Sequence, residues 1–222
     1  MLLHTSILDI IKREVELKTW LIYSPLIVFL YFDLFKINIL IFIYSFIIII
    51  LLSYLLYKFS LLGGADVMAL LLLGLGNSYV EPLFFPKLSK LGMEPMIVLF
   101  YSSIYVLALG IYNFMKNYKH TSNMPFSLRI ILSFNGKRMK VKDFLNSKFY
   151  FPLTIVNENS RELRTSFSID EDDSEWRRIY SELVKKGILR EDEYIWVSWG
   201  VPILPFILLG YITSLFIGLP LE

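Results

Sequence analysis

The chain has 222 residues, of which 55% are hydrophobic, 16% aromatic and only 19% charged, with a formal net charge of +2. Ordinary globular domains carry about 25% charged residues and no long apolar runs, so the composition argues against a simple soluble domain and for a polytopic membrane protein. Zero cysteines exclude disulfides, thiolate catalysis and cysteine-based zinc or iron–sulfur sites.

Taken in order, Met1–Leu8 is mostly apolar and leads to Asp9. A helix over residues 1–10 is about 15 Å long, half of a ~30 Å hydrocarbon layer, and reads as the last turns of a span whose beginning is missing. The N-terminus lacks the basic region, apolar core and small-residue cleavage site of a signal peptide. Residues 11–18 (IKREVELK) form a charged connector. A second span over 19–32 is kinked at Pro25, which membrane helices tolerate when neighbours re-satisfy the freed carbonyl. After a tight turn at 33–36, a third span covers 37–57 without a charge and stops at Lys58. A fourth covers 65–80 with Asp66 in its first turn, and a loop holding Pro82 and Pro86 covers 81–94. The fifth covers 95–115, and the last covers 201–219, broken by Pro202 and Pro205.

Residues 116–200 change character and become polar. The spacing predicts a β-hairpin over 127–141, because Asn135-Gly136 between alternating strands suits a two-residue type I′ turn. Residues 149–156 and 193–198 are further strands. Trp176, Ile179, Tyr180, Leu183 and Val184 follow a helical period over 174–186, with Gly187 placed as its cap. The sum is a small α+β domain.

Orientation follows from lysine and arginine. One side of the spans receives Lys12, Arg13, Lys18, Lys58 and the fifteen basic residues of 116–200; the other receives Lys36, Lys87 and Lys90. The positive-inside rule places the first side in the cytoplasm. Asp9, at the end of the first helix, and Asp66, at the start of the fourth, then share one membrane level.

The stretch Gly63-Gly64-Ala65-Asp66 carries the chemistry question. An acid inside a membrane segment is costly and is a functional hypothesis by default; the bland reading is a first-turn acid favoured by the helix dipole. Two carboxylates brought close in a poorly hydrated site share one proton. One can then activate water while the other protonates a scissile amide, with no metal, histidine, cysteine or other cofactor. Acid pairs across membrane helices also serve proton or cation transport.

The segment from Leu8-Asp9-Ile10 to Glu16, followed by Gly63-Gly64-Ala65-Asp66-Val67-Met68, resembles the paired motifs of the GxGD aspartic proteases, and among them the archaeal prepilin and preflagellin peptidases. The segments Phe134–Val141 and 193–197, before 201–205, are similar to that family's cytosolic domain and its return to the membrane. The resemblance implies a six-helix membrane architecture, with the first helix truncated here, as an all-α polytopic protein. Its parts are helices one to five in 1–115, a small α+β cytosolic domain in 116–200 and a last helix in 201–222. It implies Asp9 and Asp66 as the catalytic pair, with Gly63 and Gly64 permitting an unusual backbone and close approach of substrate or a neighbouring helix. Ala65 stands where the motif has its second glycine. The implied activity is cleavage of class III signal peptides from preflagellins and type IV prepilin-like precursors, which carry a basic leader and a hydrophobic helix. The cysteine-rich zinc module and methylation of bacterial relatives have no counterpart residues.

Other features carry less. Glu14 and Glu16 are placed to attract a basic leader, although ordinary loop acids neutralised by Lys12, Arg13 and Lys18 account for them as well. The run Asp170-Glu171-Asp172-Asp173 with Glu175 lacks the glycine and terminal Glu of a calcium loop and reads as a solvated helix N-terminus. His4 and His120 stand alone. Tyr101, Tyr105 and Tyr112, with Met93 and Met96, read as packing and interface anchors. The basic residues of 129–142 suit anionic lipid headgroups; nucleic acid is not expected, because the cations are not interleaved with exposed aromatics. Two other functions remain open: an ion- or proton-coupled transporter built on Asp66, and a non-enzymatic scaffold of a surface-filament machine.

Overall fold

The computed structural model describes residues 1–58, 62–157, 160–168 and 171–220. In chain order the helices are α1 (Leu2–Lys12), α2 (Leu17–Tyr23), α3 (Val28–Asp33), α4 (Ile39–Lys58), α5 (Gly64–Gly76), α6 (Glu94–Asn117), α7 (Phe126–Asn135), α8 (Val141–Leu145), α9 (Asp173–Lys185) and α10 (Leu204–Ile217). The strands are β1 (Gly136–Lys140), β2 (Tyr150–Pro152), β3 (Thr154–Val156), β4 (Arg161–Leu163) and β5 (Tyr194–Trp199). The fold is mostly helical with a small sheet region. It divides into two compact units, one of Met1–Val106 with Pro202–Glu222 and one of Leu107–Val201, the cut falling within α6.

In the first unit, α4 shows what kind of solvent the helices expect. Its buried positions are Phe42, Ser45, Ile49 and Ser53, a helical stripe in which half the members are serines. Leu40, Tyr44, Ile47 and Leu51 stay exposed at 80, 65, 57 and 57%. Apolar outside and small polar inside is the pattern of a helix in lipid, and the reverse of a water-soluble amphipathic helix. Ile39–Lys58 and Ser89–Thr121 are each long and apolar enough to cross a membrane, the two such segments among the described residues. Asn38 Oδ1 accepts the N–H groups of Leu40 and Ile41, capping α4 as Asn does at N-termini.

The expected kinked segment at 19–32 is α2, a 3₁₀ turn at Ser24–Ile27 that absorbs Pro25, and α3. The expected fourth span over 65–80 is shorter in the structure: α5 has 13 residues, about 20 Å. It stops because the chain after Gly76 is pulled sideways, with Asp33 Oδ2 accepting from Ser78 Oγ at 3.2 Å and Tyr79 N at 3.3 Å. The loop expected at 81–94 contains a helical turn over Ser89–Met93 that kinks at Gly92 and leads into α6. Gly92 there has φ +93° and packs on Phe42, and its carbonyl accepts from Ser45 Oγ at 2.9 Å. The core of the unit joins Leu2 and Trp20 to Ile49, Ala69, Leu70, Leu73, Val98, Leu204 and Ile207.

The second unit corrects the hairpin reading of 127–141. Residues Phe126–Asn135 are helical, and Gly136 is extended at φ −87°, ψ 157°, outside the left-handed region that a type I′ turn requires. Pro125 starts this helix, with Arg129 N donating to its carbonyl. Asn117 Nδ2 closes it by donating to the carbonyls of Ser133 and Gly136. Strand β1 pairs instead with β5, in the sheet order β1-β5-β2, all antiparallel. The expected strand at 149–156 is divided between β2, in this sheet, and β3, which pairs with β4. The helix expected over 174–186 is α9, ended by Gly187 at φ +73°. Gly187 N bonds to Val184 O and Ile188 N to Leu183 O, the two bonds of a Schellman cap. Its apolar face packs with Met139, Val141, Phe144, Ile195 and Val197.

Candidate active site

Within the first unit, α1, α5 and α10 each bring a terminus to one place. Asp66 is the third residue of α5 and is buried, 7% exposed. Its Oδ2 accepts the Gly63 N–H at 2.8 Å, which is half of a capping box. The first-turn reading of Asp66 therefore describes a real bond. Asp9, near the C-terminal end of α1, accepts the Leu204 N–H on Oδ2 at 3.1 Å, and the Ile203 N–H also bonds to it. Those donors are the free N–H groups at the start of α10, which favour an anion. The Asp9 carboxyl acts on Asp66 through space, so two acids far apart in the sequence lie within electrostatic reach of each other.

Arg13 also faces Asp9 electrostatically. It ends α1 in the left-handed conformation at φ 59°, with its N–H donating to Asp9 O. The backbone donors of Ile203 and Leu204, and Arg13, were not singled out from the sequence, although both left a trace there. Pro205 at the second position of α10 marks a helix start, and Arg13 follows Asp9 by one helical turn.

The two glycines need a different account from the expected one. Gly63 has φ −81° and ψ 163°, open to any residue. A methyl group there would meet Asp66 Oδ2 at 3.4 Å, ordinary contact, and one at Gly64 would meet nothing within 4 Å. No helix presses on either. Gly64 instead lies at one end of an apolar groove of about 440 Å³ between α4 and α5, lined by Ile50, Tyr54, Tyr57, Val67, Met68 and Leu71. Glu14 and Glu16 are exposed and share a cleft of about 240 Å³ with His4, Leu8, Lys12 and Thr19. His4 Nδ1 lies 3.0 Å from Tyr23 Oη.

At the other ends of α5 and α10 is a buried polar cluster, in a stretch where the sequence suggested only a loop end. Glu94 is fully buried, and Ser214 Oγ lies 2.5 Å from its Oε1. Asn77 Nδ2 donates to Tyr211 Oη at 3.0 Å. Glu94 left a trace in the sequence as an acid at the mouth of an apolar run, as Asp66 did. Tyr101 and Tyr105 anchor α10 through Gly218 O and Thr213 Oγ1.

In the second unit, Asp170 lies outside the described residues. The rest of its acidic run is engaged by protein: Glu171 by Arg164, Ser168 and Trp176, Asp172 as the N-cap of α9 through Ser174 N, Asp173 by Phe149 N and Arg177. Among the described residues, no three His, Asp or Glu side chains gather as a metal site. One premise of the basic-segment reading changes: Lys137 lies over the Tyr150 ring, and Arg138 and Lys140 over Tyr194, so these cations are interleaved with aromatics.

Two family descriptions divide the chain between them. The Type IV leader peptidase family, Peptidase A24, matches residues 1–111, half of the chain. The Archaeal Peptidase A24 C-terminus Type II matches residues 128–219. No curated protein matches the chain. The first match contains Asp9, Gly63, Gly64 and Asp66, and membership of a peptidase family accords with an enzyme built on paired acids. The chain belongs to the type IV leader peptidase family, in its archaeal prepilin and preflagellin peptidase branch.

Proposed function

We propose that this peptidase is an aspartic endopeptidase of the cytoplasmic membrane face, with Asp9 and Asp66 as its catalytic pair and preflagellins and type IV prepilin-like precursors as substrates. What supports the proposal is that each of these acids is held on Oδ2 by a backbone N–H at a helix start, within electrostatic reach of the other. Fixed this way, the carboxyls need little reorganisation when charge moves between them. One carboxylate takes a proton from water, whose oxygen adds to the scissile carbonyl carbon. The other carboxyl protonates the departing amide nitrogen as the C–N bond breaks. A new carboxylate and a new amine result, and the pair regains its shared proton.

The reading includes six membrane helices, with 116–200 as a cytosolic insert between the helices of 1–115 and 201–222. Lys12, Arg13, Lys18, Lys58, Lys116 and Lys119 set against Lys36, Lys87 and Lys90 support that orientation. Lipid surrounds the exposed apolar faces, and open space over Gly64 leaves room for a substrate strand. The test is cleavage of a precursor with a basic leader and hydrophobic helix in isolated membranes. Asp9→Asn or Asp66→Asn alone abolishes product while the protein stays folded; retained cleavage by either overturns the pair.

A further inference from the structure

We infer that Glu94 is a positioning residue: its hydrogen bond to Ser214, 2.5 Å long, sets the tilt of α10 and through it the place of Asp9 opposite Asp66. The inference rests on the reading of those two acids as the catalytic pair.

Glu94 is the one fully buried carboxyl among the described residues. Burying a carboxyl is costly unless its hydrogen bonds are made. Here Ser214 meets one carboxyl oxygen, Oε1, while Oε2 and the nearby Ser89 Oγ are buried without a hydrogen-bond partner, so the Ser214 bond is the one that holds the group. Ser214 Oγ has a single hydrogen and two oxygen neighbours, Glu94 Oε1 and Tyr211 O at 2.7 Å. The Ser214 hydroxyl donates to Glu94 Oε1, and the amide oxygen of a glutamine can accept the same bond.

The cluster has a definite mechanical position. Helices α5 and α10 both start at the acid pair and both end at the cluster. From Asp66 to Asn77 is about 16 Å along α5, and from Leu204 to Ser214 about 15 Å along α10. The far ends are tied by Asn77–Tyr211 between α5 and α10, and by Glu94–Ser214 between α6 and α10. One turn before Ser214, Gly210 lies directly on α6, where an added methyl would stand 2.6 Å from Val98 O. That contact is a fulcrum, and Glu94 fixes the arm beyond it. A tilt of about 6° about Gly210, over the roughly 9 Å to Leu204, moves Leu204 N by about 1 Å, enough to cost about 100-fold in rate when reacting groups are misplaced.

The experiment measures kcat and KM on a precursor in membranes for Glu94→Ala, Glu94→Gln and Ser214→Ala. The chain has no cysteine, so an Ile10→Cys/Ala65→Cys protein, which keeps the Asp9–Leu204 bond, reports the separation of the two helix ends by cross-linking yield with short bis-maleimides. Glu94→Ala and Ser214→Ala are expected to lower kcat about 10–100-fold with KM little changed. Glu94→Gln restores most of kcat. Adding Glu94→Ala to the paired-cysteine protein lowers the cross-linking yield severalfold. Unchanged kcat per folded molecule, an unchanged yield, or a Gln variant no better than Ala overturns the inference. If Glu94→Ala does not fold, Ser214→Ala and Glu94→Gln decide the same question. Active Asp9→Asn or Asp66→Asn would instead overturn the catalytic pair, and the cross-linking result would still stand or fall on its own.

Discussion

Leu204 N donates to Asp9 Oδ2 at 3.1 Å, joining the start of the last helix to the end of the first. A helix start carries a partial positive charge and unpaired N–H groups, so this contact orients the Asp9 carboxyl and holds α1 against α10. It gives the proposed chemistry its first test. Asp9→Glu keeps the charge but adds a methylene, which carries the carboxyl away from Leu204 N. Cleavage should fall about 100-fold with the amount of folded protein unchanged, measured as kcat in membranes against size-exclusion yield in detergent.

In the proposed chemistry, Asp66 has two separable roles. Its Oδ2 caps α5 through Gly63 N, and an asparagine oxygen can accept the same bond. Asp66→Asn should therefore keep near-native thermal stability while losing all cleavage. Asp66→Ala loses both, with a stability cost of about 1 kcal/mol from the missing cap. Thermal unfolding in detergent separates the two variants; equal stability would mean the cap contributes nothing.

The glycines predict opposite outcomes at different places. Gly64→Ala meets empty space and adds helix propensity of about 0.5–1 kcal/mol, so stability holds or rises. Any loss of kcat/KM in that variant then reports substrate passing over the site. Gly210→Ala drives a methyl into Val98 O and Ser102 Oγ and should cost about 1–3 kcal/mol or more by overpacking. Parallel melting curves of the two variants check the contrast.

The second unit has an acid-sensitive joint at Glu171. Partial burial works to raise this carboxyl, but the paired bonds from Arg164, the Ser168 N–H and the Trp176 indole N–H together hold it below the usual carboxylate range. A folded-state value below the unfolded one gives stability that is fully present above the unfolded value of about 4.3 and is lost as pH falls through the folded value. Urea unfolding followed by tryptophan fluorescence should show this loss on the acid side. Glu171→Gln should flatten that limb and lower stability at neutral pH by about 1.5–3 kcal/mol, the range for hydrogen bonds to a charged group.

What could be read from the chain alone followed from local chemistry. Apolar runs announced α4 and α6 because their length and lack of charge admit few other environments. Gly187 announced the end of α9 because a left-handed cap favours glycine. Asp9 and Asp66 announced themselves because an acid beside an apolar run is expensive to keep. Local pattern failed where a distant partner decided. Residues 126–135 alternate well enough for a strand, yet β1 found its partner in β5, far along the chain, and left them to form α7. Strand preference is settled by the neighbour and not by the strand itself. Only the tertiary structure supplied the backbone donors at 203–204, the reach of Arg13 to Asp9, and the Glu94–Ser214 tie. A backbone N–H has no letter of its own in the sequence, and a hydrogen bond between helices exists only once packing has set their register. The acids were written in the chain; what holds them in place was decided by the fold.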